Sequence, residues 1–447
     1  MKNAPAVIYL LTLSLYPFYS YVVRYGTGTV PDYVFGFLGM LLLAHSFYRI
    51  YTSGKNLRIP YYLVLLGCFA AYTLVSNILV SDNVTPIEVV KYFYSNPFIL
   101  SFVAFLWIEN THFPAKWIHI SVNILGVTLV IAAITSILQI SNPSFFLNME
   151  DFKAGLSFDR LSQYYAEHPK ESTDAVSRFL AGYRLSIYSW ITTSSIGIDA
   201  IAIFSILWGL PHTSGLKKGI WLIAAGLLSF LSSARWIMLG FLIVAAQNTF
   251  TQRNKLLNAL KYALMATVLI VGLATTANLL GVNVQQFVKN RLFDHSASTR
   301  LFAFEVFFKV FPKQPIFGTG GIDTPAMERL LMGRSSQIHV GYLKLFYYYG
   351  LVGGIMYLAF LFSFLMQLWK KARQSQYWGS FFALLAFAIA NFTIVQWSPF
   401  YHGLLLALIF SNHFYPAATQ EILTTNSADT ATEQPIVEVP MFPQPVA

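Results

Sequence analysis

The sequence predicts an all-α membrane protein of about twelve transmembrane helices. Composition and charge placement carry that prediction. Of 447 residues, 56% are hydrophobic and only 11% are charged, against about 25% charged in a soluble globular chain. The apolar residues gather into runs of roughly 18 or more, each long enough to cross ~30 Å of hydrocarbon as a helix. The basic residues fall mainly at the ends of those runs and between them, favouring alternate short loops, which is the bias that orients membrane proteins.

The first run, 6–23, follows Lys2 and mimics a secretion signal, but no small-residue cleavage motif follows it and further runs do. It therefore reads as a retained helix. Runs at 32–48, 60–81, 92–108 and 117–140 come next, then 195–210, 219–234, 236–249 and 262–282. The last are 340–369, 378–396 and 402–418. The two around Arg235 are short and share one turn. With a cytoplasmic N-terminus, the inner loops hold Arg49, Lys55 and Arg58; Lys116; Lys217 and Lys218; Arg253, Lys255 and Lys261; and Lys370, Lys371 and Arg373. The short outer loops hold little beyond Arg24 and Lys91. Both termini are therefore expected inside. Residues 1–418 form one polytopic domain in this reading. The segment 419–447, with four acidic residues and no basic one, reads as a disordered cytoplasmic tail.

This topology puts two long loops outside, 141–194 and 283–339. In the second, Ser298 is placed to cap a helix from Thr299 to Phe311 that stops at Pro312. Its Leu301, Phe302, Phe304, Phe307 and Phe308 are aromatic enough to lie against the bilayer interface.

Several chemistries are excluded or weakened. The net charge of +10 is spread over helix ends and loops without a basic helix or RNA-binding motif, which argues against nucleic acid as a partner. Cys68 is the one cysteine, so no intramolecular disulfide and no multi-cysteine zinc site forms; it reads as a packing residue. No H-E-x-x-H occurs and neither outer loop has D-x-D, so neither a metal nor any other cofactor is expected. Glu150 with Asp151 reads as a solvated turn, and Asp199 as an intramembrane structural partner. His168, His295 and His402 are assigned to the outer surface. Gly318-Thr319-Gly320-Gly321 follows a proline turn rather than a strand, so it is no nucleotide fingerprint. Glycine there allows a backbone to approach a ligand or a helix closely.

What remains is cationic. Arg184 precedes the sixth run, Arg235 sits in the turn between the seventh and eighth, and Arg300 opens the loop helix. All three fall at the outer face, and guanidinium binds phosphate oxygens bidentately, which suits a lipid diphosphate. Snorkelling at helix ends is the plain alternative for each. His339 stands where the second loop, which also carries Arg291, enters the tenth run. A neutral imidazole there can act as a general base; a solvated interfacial histidine is equally compatible with position alone.

In order along the chain, Arg184-Leu185-Ser186, Ser232-Ser233-Ala234-Arg235, Pro315-Ile316-Phe317-Gly318-Thr319-Gly320, His339-Val340-Gly341-Tyr342-Leu343 and Tyr349-Gly350-Leu351-Val352-Gly353 resemble the O-antigen ligase and polymerase superfamily of bacterial envelope glycosyltransferases. The resemblance covers roughly residues 180–370. It implies a GT-C-like fold in the inner membrane and a metal-independent, inverting glycosyl transfer on the periplasmic side. The donor would be an undecaprenyl-diphosphate-linked oligosaccharide. The acceptor would be a second lipid-linked repeat unit in a polymerase, with a chain-length regulator as a further partner, or lipid A-core or a protein in a ligase. His339 would be the base, Arg184, Arg235 and Arg300 would hold the diphosphate, and Arg291 and Tyr342 would support them. Val340 stands where ligases usually have asparagine, and Gly341 to Lys344 followed by Tyr349-Gly350 is more similar to the polymerase branch, which often has an acidic residue where His339 stands. A transporter of lipid-linked oligosaccharide is the other class that about twelve spans suit, but unequal outer loops and no visible repeat of the halves weigh against it.

Overall fold

The computed structural model describes residues 4–27, 57–80, 96–141, 193–211, 213–231, 235–247, 296–331, 338, 340–392 and 401–415, with a few isolated positions between them. These residues are helical, with no strand among them. The helices are α1 (Ala4–Thr27), α2 (Tyr61–Val80), α3 (Pro97–Glu109), α4 (Ala115–Ser141), α5 (Thr193–Trp208), α6 (Gly215–Leu231) and α7 (Arg235–Ala245). Then come α8 (Ser296–Val310), α9 (Pro325–Leu331), α10 (Gly341–Ser375), α11 (Gly379–Ala390) and α12 (His402–Phe414). Ten of the apolar runs thus appear as helices, whereas α8 and α9 lie in the second long loop. The runs 32–48 and 262–282, most of the first long loop and the tail fall almost wholly outside the described residues. Among the described residues, α2, α4 and α10 each contain a stretch long and apolar enough to cross a membrane, and the remaining apolar helices are shorter.

Local chemistry sets several boundaries. α3 starts at Pro97 because the Asn96 side chain caps it, accepting from the Phe98 and Ile99 amides at 2.9 and 3.2 Å. Proline at the first helical position needs no donor, so the two residues cooperate. α10 runs past its expected end to Ser375 and stops at Gln376 in the left-handed region. Lys370, Lys371 and Arg373 are therefore helical rather than loop residues. α8 begins at Ser296, one turn early, so Ser298 lies inside its first turn and is not the cap.

One apolar core joins α1–α7 to α10–α12. α10 packs against α2, α2 against α3, and α5 against α6, α7 and α11. The α2–α10 seam is aromatic: Tyr62 stacks on Phe364 at 4.5 Å and Phe69 meets Tyr357 edge-on at 5.4 Å. Two side chains depart from expectation here. His402 is buried rather than on the surface, since α12 begins inside the bundle with Tyr401 beside it and Gly403 against Ala202 of α5. Cys68 is exposed, on the outward face of α2 rather than in its packed seam.

The bundle has two distinguishable ends. At one, Glu109 closes α3 and accepts from Tyr62 at 3.0 Å, Gln367 at 3.3 Å and Lys371 at 3.2 Å. Lys371 also donates to Asn412 at 2.6 Å, so four helices meet on one buried ion pair. At the other end lie the starts of α3 and α10, the end of α11, and the loop carrying α8 and α9. On α10 the two ends are separated by the run from Leu351 to Lys371, about 30 Å of helix at 1.5 Å per residue, which matches the hydrocarbon thickness of a bilayer.

Candidate active site

The site is built on a break in α10. Gly350 has φ 63° and ψ −167°, outside helical geometry, in the first third of the 35-residue span of α10. A break frees backbone donors and acceptors, and in an apolar bundle each must find a partner. The proline–glycine loop supplies them. Pro315 and Ile316 carbonyls accept from the Leu351 and Val352 amides at 2.8 and 3.2 Å, and the Thr319 and Gly320 amides donate to Tyr347 and Tyr348 carbonyls at 3.2 and 2.9 Å. The two backbones come so close that only glycine fits at the crossing. A Cβ on Gly318 would strike the Tyr348 carbonyl and one on Gly350 the Ile316 carbonyl, and both residues have positive φ.

Side chains fasten this clasp from three directions. Tyr72 of α2 places its hydroxyl 3.0 Å from the Phe317 carbonyl and 2.9 Å from that of Tyr349, one proton facing both acceptors. With its amide nitrogen turned toward them, Asn77 reaches the Thr73 and Gly320 carbonyls. Thr324 bonds the Tyr347 hydroxyl at 2.6 Å, and Tyr348 donates to the Asp323 carboxylate at 2.8 Å. The loop is thus held as part of the bundle. Gly350→Ala is expected to undo it, since a side chain in this glycine-only backbone region costs about 1–3 kcal/mol before the collision with Ile316. Faster proteolytic cutting between 296 and 331 with loss of activity is the expected readout. Wild-type protection and activity would show that the clasp is dispensable.

A second apolar core forms beneath the loop, with Ala303, Val306, Phe307 and Val310 of α8, Met327 and Leu331 of α9, Tyr347, and both Ile338 and Val340. It seats α8 against the chain as that enters α10. Close by, Lys344 is buried, its ammonium 5.1 Å from the Tyr348 ring whose hydroxyl holds Asp323. Sequence reasoning passed over this group. Lysine is seldom buried without a role, and Lys344 four residues after Val340 was the available signal. A small open cleft of about 120 Å³ lies between α8 and the glycine loop, lined by Lys313, Gln314, Thr319, Thr324 and Tyr347 among others.

The residues singled out from sequence fare unequally. Arg184, Arg291 and His339 lie outside the described residues, as do the side chains of Arg235, Arg300 and Asp199. The backbone of Arg300 sits in the first turns of α8, the helix that shares a core with Ile338 and Val340. Arg235 begins α7. Gly240, five residues on, packs against Ile201 of α5 and Ala386 of α11. Beyond Ala386, the Ala388 and Asn391 carbonyls accept from the Tyr342 hydroxyl at 2.7 Å and its amide at 3.3 Å. At the far end of the same helices, Trp208 bonds Ala245 at 3.3 Å and Gly209 abuts Gly379. The starts of α7 and α10 therefore share one end of the bundle. Tyr342, read as a supporting residue, spends its hydroxyl on that anchor to α11. Among the described residues no group of three His, Cys, Asp or Glu side chains is arranged to hold a metal.

Residues 219–358 match the O-Antigen ligase family. The match supports the O-antigen ligase and polymerase superfamily, whose members are glycosyltransferase-like enzymes acting on lipid-linked glycans. It covers Arg235, Arg300, the glycine loop, His339 and Gly350, and leaves out Arg184 and α2. No curated protein matches the chain.

Proposed function

Starting from a membrane protein whose residues 219–358 are of the O-antigen ligase type, we propose that it is a polymerase of lipid-diphosphate-linked oligosaccharide repeat units. One observation carries the reading: the segments bearing Arg300, the glycine loop and the entry to α10 pack together at one end of the bundle, the end where α7 also begins with Arg235. Taking the basic inner loops as the guide to orientation, that end faces the periplasm. Donor diphosphates sit at headgroup depth, and so does this end.

In the proposed reaction an acceptor sugar hydroxyl attacks the anomeric carbon of the donor glycan. The new glycosidic bond forms as the anomeric C–O bond to the diphosphate breaks, and the configuration inverts. His339 takes the hydroxyl proton, and undecaprenyl diphosphate leaves with the electron pair. Charge builds on that leaving group, so fixed cations aimed at it lower the barrier more than the ground state. Arg184, Arg235 and Arg300 have this role, and Tyr342 acts through its anchor by fixing where α10 begins. Arg291 is a further candidate contact.

Arg235→Lys separates a phosphate fork from a point charge. Lysine keeps the charge but loses the bidentate geometry, and a fall in kcat/KM of about tenfold to a hundredfold is expected, equivalent to one good charged hydrogen bond. Unchanged kinetics would assign Arg235 to a structural place at the start of α7.

The ligase reaction is the second reading, favoured by the family description of the matched segment. Against it, Val340 departs from the asparagine usual in ligases, and Gly341 to Lys344 followed by Tyr349-Gly350 is more similar to the polymerase branch. Loss of the protein from its native cell tests the choice. Without a polymerase the ladder of lengthened lipid-linked oligosaccharides disappears and single repeat units accumulate. Without a ligase, long lipid-linked chains persist and only their transfer to the final acceptor stops.

A further inference from the structure

α8 lies outside the spans yet is not covered as a loop helix in water would be. Its Ala303, Val306, Phe307 and Val310 are buried in the second core, while Leu301, Phe304 and Phe308 are 72%, 43% and 67% exposed. The exposed side is itself divided. Leu301, Phe304 and Phe308 follow the i, i+3, i+7 line of one helix edge, and Glu305 and Lys309, paired at 2.6 Å, occupy the adjoining edge. A helix with an apolar edge and a charged edge side by side, its third face packed on protein, is shaped to lie in the plane of a membrane interface.

Two more observations name the occupant of that apolar edge. Downstream of α8, Ile316 and Phe317 are 54% and 65% exposed, and the clasp sets them beside Leu351 and Val352. Leu351 begins the outward stripe of α10 that continues through Ile355, Leu358 and Phe362. The exposed apolar surface of the loop thus joins the face that α10 turns to the acyl chains. Charge agrees as well, since 296–313 holds Arg300, Lys309 and Lys313 against Glu305 alone, a balance that favours anionic headgroups.

We infer that α8 is an in-plane membrane helix, its Leu301–Phe304–Phe308 edge sunk among the lipid chains of one leaflet and its Glu305–Lys309 edge at the water. The loop is then fixed to the bilayer as well as to α10. Any lipid-borne substrate must reach the site beside or beneath it, from within the leaflet. The inference needs only that α10 spans the membrane; it stands whether or not the protein transfers sugars.

The single native cysteine makes a direct test feasible. In a Cys68→Ala background, nitroxide labels are placed one at a time by Phe308→Cys, Phe304→Cys and Glu305→Cys. The full-length protein is reconstituted in vesicles of phosphatidylethanolamine and phosphatidylglycerol. Collision of each label with oxygen, which concentrates in lipid, is compared with that of a water-soluble nickel chelate. Labels at 304 and 308 are expected to favour oxygen over nickel by about twofold or more relative to the label at 305, as for a helix buried several ångströms into an interface. Two results would overturn the inference: labels at 304 and 308 as open to nickel as that at 305, or labels shielded from both reagents because protein covers this edge. Leu301→Cys serves if either phenylalanine variant fails to assemble.

Discussion

Replacing His339 by alanine is expected to abolish product formation while the protein still reaches the membrane at normal levels. A positioned general base contributes roughly 10² to 10⁴ in rate, so its loss should leave little or no product. Glycosyl transfer to a hydroxyl acceptor needs that proton removed as the bond forms, and His339 is the histidine at the entry to α10. The buried His402 offers no substitute: it begins α12 inside the bundle, beside the Tyr401 ring at 5.1 Å. Chain lengthening by His339→Ala at more than about a tenth of the wild-type rate would remove this residue from the chemistry. A variant absent from the membrane would point instead to folding, and His339→Gln, closer in shape and without a base, would then carry the test.

The second large effect belongs to the opposite end. Lys371→Met is expected to leave Glu109 buried without its cation, and breaking such a pair from one side costs about 3–5 kcal/mol. Lys371 and Glu109 are 5% and 1% exposed at their side chains, so solvent offers little relief. A clear fall in the temperature of heat-induced aggregation in detergent is expected. Lys371→Met combined with Glu109→Leu should recover much of the loss, because removing both charges also removes the desolvation burden of each. A single variant as stable as the wild type would mean that Tyr62, Gln367 and Asn412 hold the carboxylate unaided.

How much of this could be read from the sequence depends on the range of the interaction. The apolar runs gave ten helices because length and hydropathy are local properties, and Asn96-Pro97 could have moved the start of α3 from 92 to 97 on capping grounds alone. The glycines among residues 318–321 signal close backbone approach in the sequence itself; the partner is a helix, and Gly350 supplies the second half of the crossing. The Tyr72 staple is not legible, since Tyr72 is 245 residues from Phe317 and no spacing rule links them. The same holds for Glu109 and Lys371, 262 residues apart. Lys371 reads as part of a basic inner loop because run length alone cannot show a helix continuing through charges that it buries. Cys68 and His402 exchanged their expected environments for a related reason: hydropathy fixes depth along a span, while the direction a residue faces follows from neighbours distant in the chain.

The cations and the base belong to one reaction only if a diphosphate is released there. The most direct measurement uses purified protein in phospholipid nanodiscs, with EDTA present and a single defined undecaprenyl-diphosphate-linked repeat unit as donor. The reaction is run alone and with lipid A-core added, and free undecaprenyl diphosphate is measured together with glycan length. Longer lipid-linked glycans and stoichiometric undecaprenyl diphosphate from the donor alone are predicted, both lost in His339→Ala. No undecaprenyl diphosphate under either condition, from protein that is folded and binds the donor, would contradict the account.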